Sequence, residues 1–331
     1  MSGDRDLFDV TIIGGGSAGL YAAYYAGMRE MKTKLIESRS KLGGTVAVFF
    51  PEKNIYDIGG IPKITGRDFV KQMTEQALLF DPAVVLGQTV EKLEKQADGT
   101  FLLTSANGET HASKTVIIAV GPGVFHLRRL ELEDLDRYNG THIHHEPEDL
   151  TDFYGKRVLI YGGLGSAIKM TYHLADKAEK VYLVYNRDTF SGFEKDIEQI
   201  KHLNVDIRTS RAITGFHEDG ASLSEVYLEH AHTGAREAIA VDDVIIAQGY
   251  HCDLSLVKRW GFSLEGRRMP VDHNMATPLE GVYAIGDIAG YPKKWRLIAS
   301  TFNEAITAVN SAKACLDPSA PAQVYSTILM D

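Results

Sequence analysis

Val10-Thr11-Ile12-Ile13-Gly14-Gly15-Gly16-Ser17-Ala18-Gly19-Leu20 decides the fold of this 331-residue chain. An apolar run of strand length passes into G-x-G-x-x-G at Gly14, Gly16 and Gly19, and Ser17–Glu30 then reads as a helix. A second strand, Lys32–Glu37, completes a βαβ unit. The three glycines do different things: Gly14 allows the tight turn, Gly16 lets the backbone approach a pyrophosphate, and Gly19 lets helix and strand pack closely. Ser17 opens the helix, whose unpaired N–H groups and dipole favour a diphosphate. Glu37 closes the second strand and offers two acceptors for ribose hydroxyls. Strand, turn, helix and terminal acid together define a dinucleotide site; a lone glycine motif would not.

The same design recurs once. Arg157–Tyr161 reads as a strand, Gly162-Gly163-Leu164-Gly165-Ser166-Ala167 as its turn, Ser166–Lys177 as a helix and Lys180–Tyr185 as the next strand. Short apolar strands alternating with helices imply a parallel sheet covered on its faces. Two further passages echo each other, Val116-Ile117-Ile118-Ala119-Val120-Gly121 and Val244-Ile245-Ile246-Ala247-Gln248-Gly249, and they bracket the second unit. The expected class is α/β, with two Rossmann-like, three-layer dinucleotide-binding domains, the second inserted into the first. The outer domain spans 1–120 and 251–331, the inner one 121–250. Asn107-Gly108 and Thr233-Gly234 each sit between apolar runs and predict hairpins.

Composition narrows the function. A net charge of −9 argues against a general nucleic-acid binder, because a polyanion would be repelled. No apolar run is long enough to span a bilayer, and the opening residues carry no secretory core. Cys252 and Cys315 are the two cysteines, without a CxxC pair or metal-ligand spacing. These features predict a cytoplasmic protein that touches neither membrane nor nucleic acid and holds no metal.

Thr277-Pro278-Leu279-Glu280-Gly281-Val282-Tyr283-Ala284-Ile285-Gly286-Asp287 resembles the second FAD fingerprint of two-dinucleotide-binding flavoprotein oxidoreductases. Gly286 would let the backbone near the flavin polyol, with Asp287 as acceptor. Over nearly its whole length the chain resembles the thioredoxin-reductase-like flavoproteins. Thioredoxin reductases carry a CxxC just before the second βαβ strand, where this chain reads Thr141-His142-Ile143-His144-His145-Glu146. Without a thiolate, disulfide reduction by that route is excluded.

The cysteine-free branch is ferredoxin/flavodoxin–NADP+ reductase of the thioredoxin-reductase type. Its likeness rests on Phe49-Phe50-Pro51-Glu52-Lys53, Ile55–Pro62, Leu297-Ile298-Ala299-Ser300, Glu304–Asn310 and the extension Val324-Tyr325-Ser326-Thr327. The resemblance implies a homodimer that moves electrons between NAD(P)H and ferredoxin or flavodoxin. Hydride would pass to flavin N5 and electrons would leave singly, with no catalytic side chain required. It implies that Phe50 stacks on one flavin face and the partner subunit's Tyr325 on the other. It also carries FAD contacts to Glu37, Thr45 (usually Gln), Val90, Phe125, Asp287 and Thr327.

The second loop departs from the resembling family. There it is a G-x-G-x-x-A nicotinamide loop, and Leu164 stands where the second glycine belongs. Gly162, Gly163, Gly165 and Ser166 are the candidate contacts that remain. NADPH-dependent relatives place two arginines after the following strand and a third a few residues on; this chain has Asn186, Arg187 and Ser191. No acid closes that strand either, so NADPH and NADH both stay open. The alternative is an FAD protein with a decayed nicotinamide pocket, reduced by another carrier or acting without turnover. His142, His144 and His145 read as structural or surface residues, since no ligand frame completes a metal site. Lys293-Lys294-Trp295-Arg296 is the candidate patch for an acidic electron carrier, against an equal reading as a solvated loop.

Overall fold

The computed structural model describes residues 6–321, except 129, 131, 133, 134, 139, 146, 148, 192, 193, 220 and 221. The chain divides into two compact units, Met1–Val124 with Cys252–Asp331, and Phe125–His251.

The first unit is built on five parallel strands in the order Ala83–Val85, Thr33–Ile36, Leu7–Ile13, Thr110–Ile118, Val282–Ala284. Thr110–Ile118 serves two ladders along one edge. Its first half pairs antiparallel with Phe101–Ser105 across the Asn107-Gly108 turn, and its second half pairs in parallel with Val282–Ala284. The expected hairpin therefore forms, and one of its strands continues into the parallel sheet.

Both faces of the sheet are buried, which is why its strands read as apolar runs without alternation. Val10, Ile12, Leu35 and Ile117 face a layer that includes Leu20, Ala22, Ala23 and Ala26 of the Ser17–Met28 helix. Ile13, Ile36, Val116 and Ile118 face Leu93, Phe101, Leu103, Trp260 and Phe262. The Ser17–Met28 helix is flanked by Gly66–Ala77 and Ile298–Leu316, so alanines and glycines are found where larger side chains would hold these elements apart. It ends two residues before the expected Glu30, which takes a positive φ of 55°.

The second unit repeats the plan. Its parallel strands run Val205–Arg208, Lys180–Val184, Arg157–Tyr161, Asp243–Ile246, Ile143–His145. Val158, Ile160, Leu183 and Ile245 pack with Ala167, Ile168 and Leu174 of the Gly165–Leu174 helix. Leu159, Tyr161 and Val244 pack with Ile213, Val226, Leu228 and Ile239 of a three-stranded antiparallel sheet, Arg211–Asp219, Ser222–His230, Arg236–Ala240. Each unit is thus three layers around a parallel sheet. Among the described residues no helix is long and apolar enough to cross a membrane.

Candidate dinucleotide sites

Parallel strands bring their carboxyl ends to one side of a sheet, and ligands bind in the crevice outside those ends. In the first unit that side gathers the Gly14–Gly19 loop, Glu37, Ala119–Gly121 and Ile285–Asp287. Gly14 N–H donates to Ile36 O at 2.8 Å, Ala119 N–H to Ile13 O at 2.8 Å and Ile285 N–H to Ile118 O at 2.9 Å. Segments far apart in sequence are therefore tied together by backbone hydrogen bonds.

The loop itself is close-packed. A Cβ on Gly19 would come 1.9 Å from Gly14 O, so the helix can lie against its own turn only with glycine there. Gly16 is the N-cap, with no side chain capping the first-turn N–H groups, which leaves a helix N-terminus suited to an anion. Glu37 is buried; its Oε2 accepts the Gly15 N–H at 2.7 Å and its Oε1 accepts from Arg39 N–H and Ser38 Oγ. Gly43 N–H donates to Gly15 O at 2.8 Å. This brings Thr45, in the first turn of the Gly44–Phe49 helix, beside the loop.

Gly286 has φ +74°, and a Cβ there would lie 3.1 Å from that of Ala18. The Gly286–Asp287 turn thus rests on the first turn of the Ser17–Met28 helix. Behind it lies a group to which the sequence alone assigned no role. The buried carboxylate of Glu304 accepts the Gly286 N–H at 2.7 Å and the Tyr291 hydroxyl at 2.7 Å, and pairs with the Lys294 ammonium. Burial, then the Glu304 hydrogen bond, push the Tyr291 phenol up. A signal for Glu304 was present: a carboxylate four residues from Ala308, on the buried face of a long apolar helix.

The remaining first-site candidates scatter. Phe50 is exposed at the end of the Gly44–Phe49 helix, with Lys53 Nζ 5.1 Å from its ring centre. The Val90 side chain is in the core. Phe125 opens the second unit, on the Val124–Leu127 strand. Tyr325 and Thr327 lie outside the described residues.

In the second unit the carboxyl side gathers Gly162–Ser166, Tyr185–Arg187 and Ala247–Gly249. Gly162 N–H donates to Val184 O at 2.9 Å and Ala247 N–H to Tyr161 O at 2.8 Å, repeating two of the first site's three bonds. By that correspondence Tyr185 stands where Glu37 stands in the first unit. Its ring packs on Gly163, where a Cβ would lie 2.3 Å away, and stacks with Phe190 at 5.7 Å. Ser191 N–H donates to Gly163 O at 2.8 Å, folding the segment after the strand against the loop. Arg187 is exposed, and Ser210 N–H donates to its carbonyl. Asp188 is held below the usual carboxylate range by hydrogen bonds from Ser210 and then His232.

Two of the side signals change. Lys293–Arg296 does not present a four-residue cationic surface: the Lys294 side chain is 1% exposed against Glu304, and Arg296 reaches Asp287 at 3.4 Å. Lys293, Trp295 and Arg296 are the exposed members. A carboxylate does meet the histidines, since Asp243 lies 2.9 Å from His144, 4.0 Å from His142 and 2.9 Å from Lys156. A lysine in that cluster makes it an ion-pair network, and no metal-binding group occurs among the described residues.

Two glycine-loop units, the second carried within the chain of the first, define a two-domain protein of the dinucleotide-binding class. Residues 8–312 match the pyridine nucleotide-disulphide oxidoreductase family. The chain is 45% identical over 327 residues to a ferredoxin–NADP reductase of Geobacillus kaustophilus, covering 98% of each. It is 44% identical to one of Geobacillus thermodenitrificans, covering 97% of this chain and 96% of the relative. The crystal structure of T. acidophilum thioredoxin reductase shares the fold, with a TM-score of 0.72 at 24% identity over 94% of this chain and 99% of that one. The chain belongs to the pyridine nucleotide-disulphide oxidoreductase family and is an oxidoreductase.

Proposed function

We propose that this protein is an FAD-dependent enzyme that carries electrons between NADPH and ferredoxin, with flavodoxin as a second acceptor, acting as a cytoplasmic homodimer. FAD belongs to the outer unit, 1–120 with 251–331, and the nicotinamide dinucleotide to the inner one, 121–250. The observation that carries the reading is the pair of uncapped helix N-termini at the carboxyl ends of two parallel sheets, in a chain without a cysteine pair. The full-length relatives carry the ferredoxin–NADP reductase name, which supports this reading over the alternative of a decayed pocket.

The first site fits FAD. A Cβ on Gly44 would come 2.8 Å from the Cα of Gly16, so two glycine backbones form a cradle there that side chains would fill. Gly14, Gly16, Ser17 and Gly19 would hold the diphosphate, Glu37 the adenosine ribose, Thr45 and Asp287 the polyol side. Val90 and Thr327 would add to the set by packing and backbone groups, and Phe50 and Tyr325 would supply rings for stacking. Bound FAD accepts a hydride and releases electrons singly; the chain binds, orients and shields.

Gly162, Gly163, Gly165, Ser166 and Arg187 would hold the nicotinamide dinucleotide. Contrast between the units supports NADPH over NADH. Glu37 accepts hydroxyls and would repel a 2′-phosphate, whereas Tyr185 carries no charge and Arg187 follows two residues on.

Stopped-flow mixing of the FAD-loaded protein with NADPH or NADH tests this. NADPH is expected to bleach the flavin faster than NADH, and the bleached protein to reduce ferredoxin. Failure of both nucleotides at millimolar concentration would sink the proposal.

A further inference from the structure

The two glycine loops share one backbone and differ at one side chain. Gly16 and Leu164 cap their helices in the same extended conformation, φ −79°, ψ −176° and φ −95°, ψ 172°. Three residues past the Thr110–Ile118 and Asp243–Ile246 strands stand Gly121 and Gly249, both left-handed at φ +58° and +72°. In the first unit the space between these points is open. A Cβ on Gly16 would meet only Gly44 Cα, at 3.8 Å, and one on Gly121 would meet nothing within 4 Å. In the second unit the Leu164 Cδ1 lies 2.7 Å from where a Cβ of Gly249 would be. The isobutyl group therefore reaches from the loop to the segment that follows the Asp243–Ile246 strand. It is 37% exposed, so the core does not demand it there. Gly165, the next residue, has open space on its Cβ side.

We propose that Leu164 limits the nucleotide affinity of the second site: its side chain lies across the strip over which a diphosphate would reach the N-terminus of the Gly165–Leu174 helix. A dinucleotide binds when that side chain turns off Gly249, and the turn weakens binding. This rests on reading the second loop as the nicotinamide-dinucleotide site. The consequence is an enzyme whose nucleotide affinity is limited at the loop by one apolar side chain.

Titration calorimetry of the FAD-loaded protein with NADP+ reads binding without turnover. Leu164→Gly and Leu164→Ala are each expected to lower the dissociation constant roughly tenfold, about 1.4 kcal/mol. Leu164→Phe is expected to raise it. Alanine keeps the ordinary backbone, so tightening by glycine alone would trace the effect to backbone freedom and overturn the proposal. Unchanged or weaker binding in both small variants overturns it too. Should NADP+ bind neither the parent nor any variant, the nucleotide reading of the loop fails, and this inference with it.

Discussion

Glu304 and Lys294 form an ion pair with both side chains buried, 2% and 1% exposed, directly behind the Gly286–Asp287 turn. A buried pair is weak evidence for net stability, but breaking one is costly because the survivor is left charged and unsolvated. Glu304→Gln should therefore destabilise the protein by about 3–5 kcal/mol in urea unfolding. Adding Lys294→Met should recover most of that loss, since no buried charge then remains. A single variant as stable as the parent would show that water reaches the pair.

Gly14 has φ +109°, and a Cβ there would lie 2.4 Å from Ala119 O. Both facts oppose any side chain. Gly14→Ala should displace the turn from Ala119, just past the Thr110–Ile118 strand, and yield protein with little bound flavin, read from the ratio of flavin to protein absorbance. Full flavin content would refute the tight-turn role.

Glu37 Oε2 accepts the Gly15 N–H, and a dinucleotide ribose hydroxyl would compete for that oxygen. Glu37→Ala removes an acceptor for two ribose hydroxyls and leaves a buried N–H without its carboxylate. FAD dissociation should increase by roughly tenfold or more, consistent with about 1.5–3 kcal/mol for hydrogen bonds to a charged group. Fluorescence of released flavin measures it.

Asn186 precedes Arg187 and is exposed. Asn186→Arg should raise the preference for NADPH over NADH by roughly fivefold, about 1 kcal/mol for an exposed charge pair. The ratio of kcat/KM values for the two nucleotides reads this directly. An unchanged ratio would move the 2′-phosphate away from this strand end.

Asp242 accepts hydrogen bonds from the Arg157 guanidinium and backbone N–H, and the guanidinium bond, first, holds its carboxyl below the usual range. A depressed folded-state pKa stabilises the fold above the unfolded carboxylate value of about 3.9, and the contribution is lost as pH falls through the lower folded value. Asp242→Asn should therefore melt below the parent at neutral pH, with the gap closing as pH falls below about 4. The pair is partly exposed, so salt should narrow the gap as well.

Much of the fold was legible because its signals are local. Apolar strands buried on both faces read as continuous runs, glycine turns mark their ends, and Asn107-Gly108 and Thr233-Gly234 mark hairpins; all of these are short-range chemistry. The span of the second helix was less legible. Gly165–Leu174 stops before the expected Lys177, since no strong C-terminal stop residue marks that end.

By itself the sequence determined two βαβ units, the intact first loop, the altered second one and the absence of a CxxC. Tertiary structure alone decided what surrounds them. It buried Lys294 on Glu304 and so withdrew it from the expected cationic patch, and it drew Arg296 to Asp287. It placed Tyr185 where Glu37 has its counterpart, and it carried Leu164 across to Gly249. The reason is physical. Motif glycines report the backbone's local shape, which neighbouring residues dictate. Burial, pairing and close approach depend on which distant segments the parallel sheet brings to the same edge.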